Sequence, residues 1–298
     1  MTRHDFSGTV RDMSSISLQN GVRVHAIQTG TVSIKELQRD GGGRGRRSFP
    51  RLFMDRRWTE PLPILAWLVE HPEGLIVVDT GETAHVADRG YFTPWNPYFR
   101  LALREWIAPE QEIGPQLRAL GFSPDDVRWV VLTHFHTDHA GGLAHFPKSE
   151  IVSSRADYEY SRGLLGKARG FLPQHWPQGF APTLADFVDG PFGPFAASTA
   201  LTAAGDVRLV PTPGHTPGHL SVTVDDGETV LFLAGDTSYT EQLMLAGTPD
   251  GVSPDPARAR DTLARIQQLT AERPTVYLPT HDPEATTRLE RGQVTERR

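Results

Sequence analysis

The 298-residue chain contains no cysteine, which removes disulfides, thiolate zinc sites and cysteine nucleophiles together. Any metal must then be held by imidazole and carboxylate, so the 12 histidines become the residues to follow. Long apolar runs are missing too. The longest, such as Leu62 to Val69 and Val230 to Ala234, fall far short of the roughly 18 residues that cross a bilayer. The N-terminal MTRHDFSGTVRDMSS has neither the apolar stretch nor the small-residue cleavage pattern of a secretory signal. A cytoplasmic location with no membrane partner is expected. Excess positive charge is also lacking: at a net charge of -6 the chain offers no surface for a phosphate backbone, and no nucleic-acid partner is expected. What remains is ordinary globular composition, with 38% hydrophobic and 22% charged residues, which disfavours wholesale disorder.

Hydrophobic patterning predicts many short strands. Val22 to Gln28 alternates like a strand, and Ile64 to Val69 with Leu75 to Asp79 read as a hairpin across His71-Pro72-Glu73-Gly74. A helical region is expected from about Tyr98 to Leu120, broken near Pro109, with Phe99, Leu103 and Trp106 on one face. Arg128 to Thr133 reads as a buried strand, and Ile151 to Ser153 as a short strand before a helix near Ala156 to Arg162. Val207 to Val210, Leu220 to Val224, Thr229 to Ala234 and Thr275 to Leu278 complete the strands. Before the last lies the clearest helix, with Asp255 as N-cap, Pro256 at its first position and a stripe of Ala259, Leu263, Ile266 and Leu269. Phe171 to Ala204 has no clear period, and Gly41 to Arg47 reads as a flexible basic loop. One mixed α/β domain over 1-298 fits this pattern, with a loose tail over 290-298. The aromatic segment Tyr91 to Trp106 reads either as core or as the interface of a homodimer.

Chemistry concentrates in Thr133-His134-Phe135-His136-Thr137-Asp138-His139, directly after a strand. In extended backbone His134 and His136 point the same way, and a turn then returns Asp138 and His139 to the same point. Three further donors, His215, Asp236 and His281, each follow the end of a predicted strand, where functional loops gather. Together these residues supply five imidazoles and two carboxylates, enough for two divalent ions bridged by one carboxylate.

This pattern resembles the metallo-β-lactamase superfamily of metal-dependent hydrolases, on the HxHxDH motif, the downstream Pro213-Gly214-His215-Thr216-Pro217-Gly218-His219 segment, Gly235-Asp236 and the late His281. The resemblance spans about Ile64 to His281 and implies an αββα sandwich. It places His134, His136 and His215 on one metal, Asp138, His139 and His281 on the other, and Asp236 between them. It also gives Asp79 the task of orienting a metal ligand. Zinc is the first expectation for the metal, with cobalt, manganese or iron also compatible with imidazole and carboxylate.

Asp236-Thr237-Ser238-Tyr239-Thr240 is similar to the DxSYT segment of the N-acyl-homoserine lactone lactonases. That resemblance implies opening of an acyl lactone by a hydroxide bridging the two ions, with Tyr239 donating a hydrogen bond to the lactone carbonyl and Asp138 protonating the departing ring oxygen. The competing enzyme readings are a thioesterase of the glyoxalase II type or another lactone or ester hydrolase on the same site. A glutathione thioester would want a basic pocket, and lysine is confined to Lys35, Lys148 and Lys167, although arginines could supply that charge instead. A scaffold that had abandoned catalysis for binding is expected to lose ligands first, and here the full set is present.

Overall fold

The computed structural model describes residues 14–41 and 49–296. Two sheets face each other. The first contains β1 (Ser15–Ser17), β2 (Arg23–Ile34), β3 (Leu62–His71), β4 (Gly74–Val78), β5 (Leu103–Trp106), β6 (Val127–Val131), β7 (Glu150–Ser154) and β8 (Thr183–Ala185), in the order β1-β2-β3-β4-β6-β7-β8 with β5 also on β2. The second contains β9 (Thr199–Ala200), β10 (Val207–Pro211), β11 (Leu220–Asp225), β12 (Val230–Gly235) and β13 (Thr275–Pro279), ordered β13-β12-β11-β10-β9.

Side chains alternate across each strand, so a strand buried on both faces serves two cores. β12 shows the division: Leu231 and Leu233 join Leu65, Trp67, Val131 and Leu278 between the sheets, while Val230 and Phe232 turn outward. There they meet Leu263, Ile266 and Leu269 of the helix Pro256–Glu272, whose N-cap Asp255 accepts the Arg258 amide as its sequence predicts. The outer face of the first sheet is covered in the same way by Ile113, Leu117, Leu143 and Phe146. The layers are therefore helix, sheet, sheet, helix, as the family resemblance implies.

Several expectations need correction. The predicted helix from Tyr98 to Leu120 is instead a turn of helix at Tyr98–Leu101, strand β5, and a second helix at Ile113–Ala119. β5 pairs antiparallel with β2, Glu105 opposite Val32. Its Leu103 and Glu105 are partly buried and its Arg104 and Trp106 exposed, the period of a strand. Tyr91 and Phe99 are core, whereas Trp95 and Trp106 are exposed. Within the segment expected to be a loose tail, Thr295 is buried, its amide donating to Thr275 O at 2.8 Å and its hydroxyl to Glu241 at 2.6 Å. Of the Gly/Arg-rich segment 41–47, only Gly41 lies within the described residues. Among the described residues no helix is long and apolar enough to cross a membrane.

Strand direction positions the site. β4 and β6 are parallel, so Asp79 and the HxHxDH loop leave the first sheet at the same edge. β12 is parallel to β13 and separated from β10 by the antiparallel β11, so these three also end together. His215, Asp236 and His281 follow those ends. The Leu220 amide donates to Thr133 O at 3.0 Å and the Leu65 amide to Thr280 O at 3.1 Å, joining the two edges.

Candidate metal centre

The structure brings all seven expected donors to the shared edge, in overlapping groups whose ligand atoms lie within 4.8 Å of one another. His136 Nδ1 stands 2.9 Å from His134 Nε2 and 2.9 Å from His215 Nε2. Asp138 Oδ2 is 3.3 Å from His281 Nε2. Asp236 spans the two groups: Oδ1 lies 3.3 Å from His139 Nε2 and 3.4 Å from His281 Nε2, and Oδ2 lies 3.5 Å from His215 Nε2.

Four of the five imidazoles are oriented by what meets their Nδ1. His139 Nδ1 donates to Asp79 Oδ2 at 2.8 Å, His215 Nδ1 to Asp250 Oδ2 at 3.0 Å, and His281 Nδ1 to Pro63 O at 2.8 Å. His134 Nδ1 faces Thr133 Oγ1 at 3.1 Å, a hydroxyl whose own proton goes to Asp79. Four Nε2 atoms are therefore turned inward. That arrangement tests the fit of a cation. With the protons of His134 and His215 committed elsewhere, His136 could satisfy at most one of the two nitrogens it faces. His139 Nε2 and Asp236 Oδ1 are buried without a hydrogen-bond partner. A divalent ion accepts electron pairs from all of them, and the donor set fits two such ions.

Electrostatics follow from burial and neighbours. Burial, reinforced by His215, pushes the His136 pKa down to about 3, so its ring is a neutral donor. Burial opposes ionisation of Asp236, yet His281 and His139 outweigh it and hold the carboxyl well below its ordinary range. Tyr239 moves the other way. Burial and the Asp236 charge raise its phenol well above the usual value, so it stays protonated.

Backbone geometry at the edge is specialised. Asp79 has φ 59°, a left-handed conformation that aspartate tolerates better than most residues. It aims the carboxylate at the Thr133 amide, at 2.8 Å, and at His139. Gly235 has φ +57, and a Cβ there would fall 2.7 Å from His219 Nε2, the atom that accepts the Asp236 amide at 3.0 Å. His219, second histidine of the Pro213 to His219 segment, thus supports Asp236 rather than joining the donors.

Several participants are not apparent from the sequence. Asp250 has a local signal, an Asp-Gly turn, but nothing in the sequence ties it to His215, 35 residues earlier. Glu82 accepts from Tyr91 Oη at 2.8 Å, from the Thr83 amide at 2.9 Å and from Thr137 Oγ1, next to Asp138. Burial raises its carboxyl to about 7. Gln38 contacts the Tyr239 hydroxyl at 2.9 Å. A cavity of about 520 Å³ opens beside the donors, walled by Val32, Ile34, Phe99, Leu103, Phe171 and Tyr239 among others. This size and lining suit a small amphiphilic molecule.

Known proteins share this architecture. The profile of the metallo-beta-lactamase superfamily matches residues 59–281. A "Probable metallo-hydrolase" of Mycobacterium tuberculosis is 36% identical over 62% of this chain and 58% of its own length, so the match spans little more than half of that relative. The N-acyl homoserine lactonase AttM of Agrobacterium fabrum is 32% identical over 75% of this chain and 83% of its own. Among solved structures, an N-acyl homoserine lactone hydrolase with the product N-hexanoyl-L-homoserine at its catalytic metal center superposes with a TM-score of 0.70 at 20% identity, covering 90% of this chain and 95% of that one. The chain thus belongs to the metallo-beta-lactamase superfamily, in the branch of the N-acyl homoserine lactonases.

Proposed function

We propose that this protein is a dinuclear metal-dependent hydrolase that opens the ring of N-acyl-homoserine lactones. The observation that carries the reading is a protonated Tyr239 hydroxyl on the wall of an apolar cavity, stacked at 5.5 Å on His281 and so beside the donor cluster. The 32% identity to a lactonase supports the same substrate class. His134, His136 and His215 would hold one ion, Asp138, His139 and His281 the other, with Asp236 shared. When bound, such ions supply a strong oxygen nucleophile near neutral pH and polarise the ester carbonyl.

The chain's own groups do the rest. Tyr239 Oη donates to the lactone carbonyl oxygen, an interaction that strengthens as negative charge develops there. Asp138 is the more exposed of the two cluster carboxylates, its side chain 13% accessible against 6% for Asp236. It takes the proton released by the attacking water and passes it to the ring oxygen as the carbon–oxygen bond breaks. Water's oxygen ends on the carbonyl carbon, its second proton passes to solvent, and the product is an N-acyl-homoserine carboxylate. Val32, Ile34 and Phe99 offer the acyl chain an apolar wall.

The test compares kcat/KM for N-hexanoyl-homoserine lactone, S-lactoylglutathione and a β-lactam on the metal-loaded protein. The lactone should be preferred by about tenfold or more, equivalent to roughly 1.4 kcal/mol of transition-state discrimination. Faster turnover of the thioester would replace this reading with the thioesterase one. None of the chain's three lysines lines the cavity, and its wall carries Arg169, which lies over the Tyr160 ring and donates to Tyr160 O.

A further inference from the structure

Gln38 stands on the one-turn helix Glu36–Arg39, remote in sequence from every metal donor, yet its amide lies between two phenols of the cavity wall. Nε2 donates to Tyr239 Oη and to Tyr98 Oη, each at 2.9 Å, and Tyr98 Oη donates back to Oε1 at 3.2 Å. A primary amide has two N–H donors and one carbonyl acceptor. Here both donors are committed to phenol oxygens, and the carbonyl holds the Tyr98 proton. The two tyrosines are therefore not equivalent. Tyr98 gives its proton to the amide, whereas Tyr239 receives a hydrogen bond and retains its own proton. Among the described residues no acceptor meets that proton.

The Gln38 main chain is itself fixed at both of its polar atoms. The Gln38 amide nitrogen donates to Lys35 O at 2.8 Å, and Gln38 O accepts from the Gly251 amide at 2.7 Å. Gly251 is needed for that approach, because a Cβ there would come within 3.2 Å of Gln38 Cα. With only 3% of Gln38 exposed, water does not compete for the amide.

We propose that Gln38 is a positioning residue that sets the direction of the Tyr239 hydroxyl. By occupying the lone pair on the wall side, it turns the O–H toward the cavity and leaves Tyr239 as the phenol able to donate to a bound carbonyl. Hydrogen bonds in such a chain also polarise one another, so the amide strengthens Tyr239 as a donor. The inference rests on Tyr239 acting as donor to the lactone carbonyl.

Polarity makes the proposal testable. Gln38→Glu replaces the donors with carboxylate oxygens that take protons from both phenols, turning the Tyr239 proton away from the cavity. Gln38→Leu removes the contact without reversing it. With N-hexanoyl-homoserine lactone, kcat should fall about tenfold or more in Gln38→Glu and about threefold in Gln38→Leu, with KM within about threefold and metal content unchanged. In a Tyr239→Phe background, Gln38→Glu should change kcat by less than about twofold, since no proton remains to redirect. A Gln38→Glu enzyme as active as wild type would mean that the amide carbonyl, not Nε2, faces Tyr239, and would overturn the inference. An equal loss in the Tyr239→Phe background would overturn it as well, by showing that Gln38 acts elsewhere. A Tyr239→Phe enzyme with wild-type lactone kinetics would instead remove the underlying reading of Tyr239. Should melting show that Gln38→Glu does not fold, Tyr98→Phe carries the test. It deletes the proton that fixes the amide, and should lower kcat about threefold in wild type but not in Gln38→Leu. Equal effects in both would count against the proposal.

Discussion

Asp250 Oδ2 lies 3.0 Å from His215 Nδ1, and the same carboxylate collects the amides of Val252 and Ser253 at 2.7 and 2.6 Å and the Ser253 hydroxyl at 2.7 Å. The imidazole is thus clamped by a group that is itself clamped. Asp250→Ala should free the His215 ring and weaken metal binding about 10- to 100-fold, the usual cost of losing such a partner. Competition with a chromogenic chelator reads this directly. Wild-type affinity in the mutant would mean that His215 is held by packing alone.

Asp236 reaches both donor groups, so Asp236→Ala should lower bound metal below the two ions per chain expected of the full set, and activity should fall with it. Elemental analysis and kcat on the same preparation provide the check. Chelation of the wild-type protein should also lower its melting temperature, because ions that bind the folded form stabilise it. An unchanged melting temperature after complete metal removal would argue against a structural share for the ions.

Asp157 is buried, with Oδ2 accepting the Phe135 amide at 3.0 Å inside the HxHxDH loop. Burial raises its pKa from 3.8 to about 6. The folded form therefore binds the proton more tightly than the unfolded chain, and this contribution is fully present below about pH 4 and lost as pH rises through about 6. Asp157→Asn keeps an acceptor for Phe135 and removes the titration. Relative to wild type, the mutant should gain about 3 kcal/mol between pH 4 and pH 8, taking about 1.4 kcal/mol per pKa unit. Urea melts at the two pH values measure it, and parallel pH profiles would contradict the assignment.

Glu105 is a different case, for both carboxylate oxygens are buried without a partner on a strand that faces the cavity. Burial, reinforced by Glu82 and Asp138, raises its pKa well above the ordinary value. Glu105→Leu should stabilise the fold by about 1 to 3 kcal/mol at neutral pH, the cost of an unsatisfied buried polar group. The gain should grow with pH, because the wild-type carboxyl loses stability as pH rises through its raised pKa. A lower melting temperature in the mutant would show that the carboxyl has a stabilising partner.

How much of this was legible in sequence depends on distance along the chain. HxHxDH is readable because its four side chains converge through local backbone geometry, a strand end and one turn. His215, Asp236 and His281 are legible because each follows an obvious strand, and parallel directions carry all three to one edge. Gln38, Glu82 and Asp250 lack such cues. They are ordinary polar residues whose partners lie far away, as in the 201-residue separation of Gln38 and Tyr239. β5 was obscured for another reason: Phe99, Leu103 and Trp106 fall at helical spacing by coincidence. The Leu103 and Glu105 alternation that marks a strand is hidden because one inward position carries a carboxylate. β8 and β9, of three and two residues, are too short to show any period.

His281 Nδ1 is anchored on Pro63 O, 218 residues away, and its other nitrogen faces Asp138 and Asp236. A chain made at about 5 to 20 residues per second needs roughly ten seconds or more to pass from Pro63 to His281. In the later part of that interval His134, His136, Asp138 and His139 already exist while their last companion does not. An ion caught early would be under-coordinated and exchangeable, so the full donor set would first be offered to an ion only once His281 has been made.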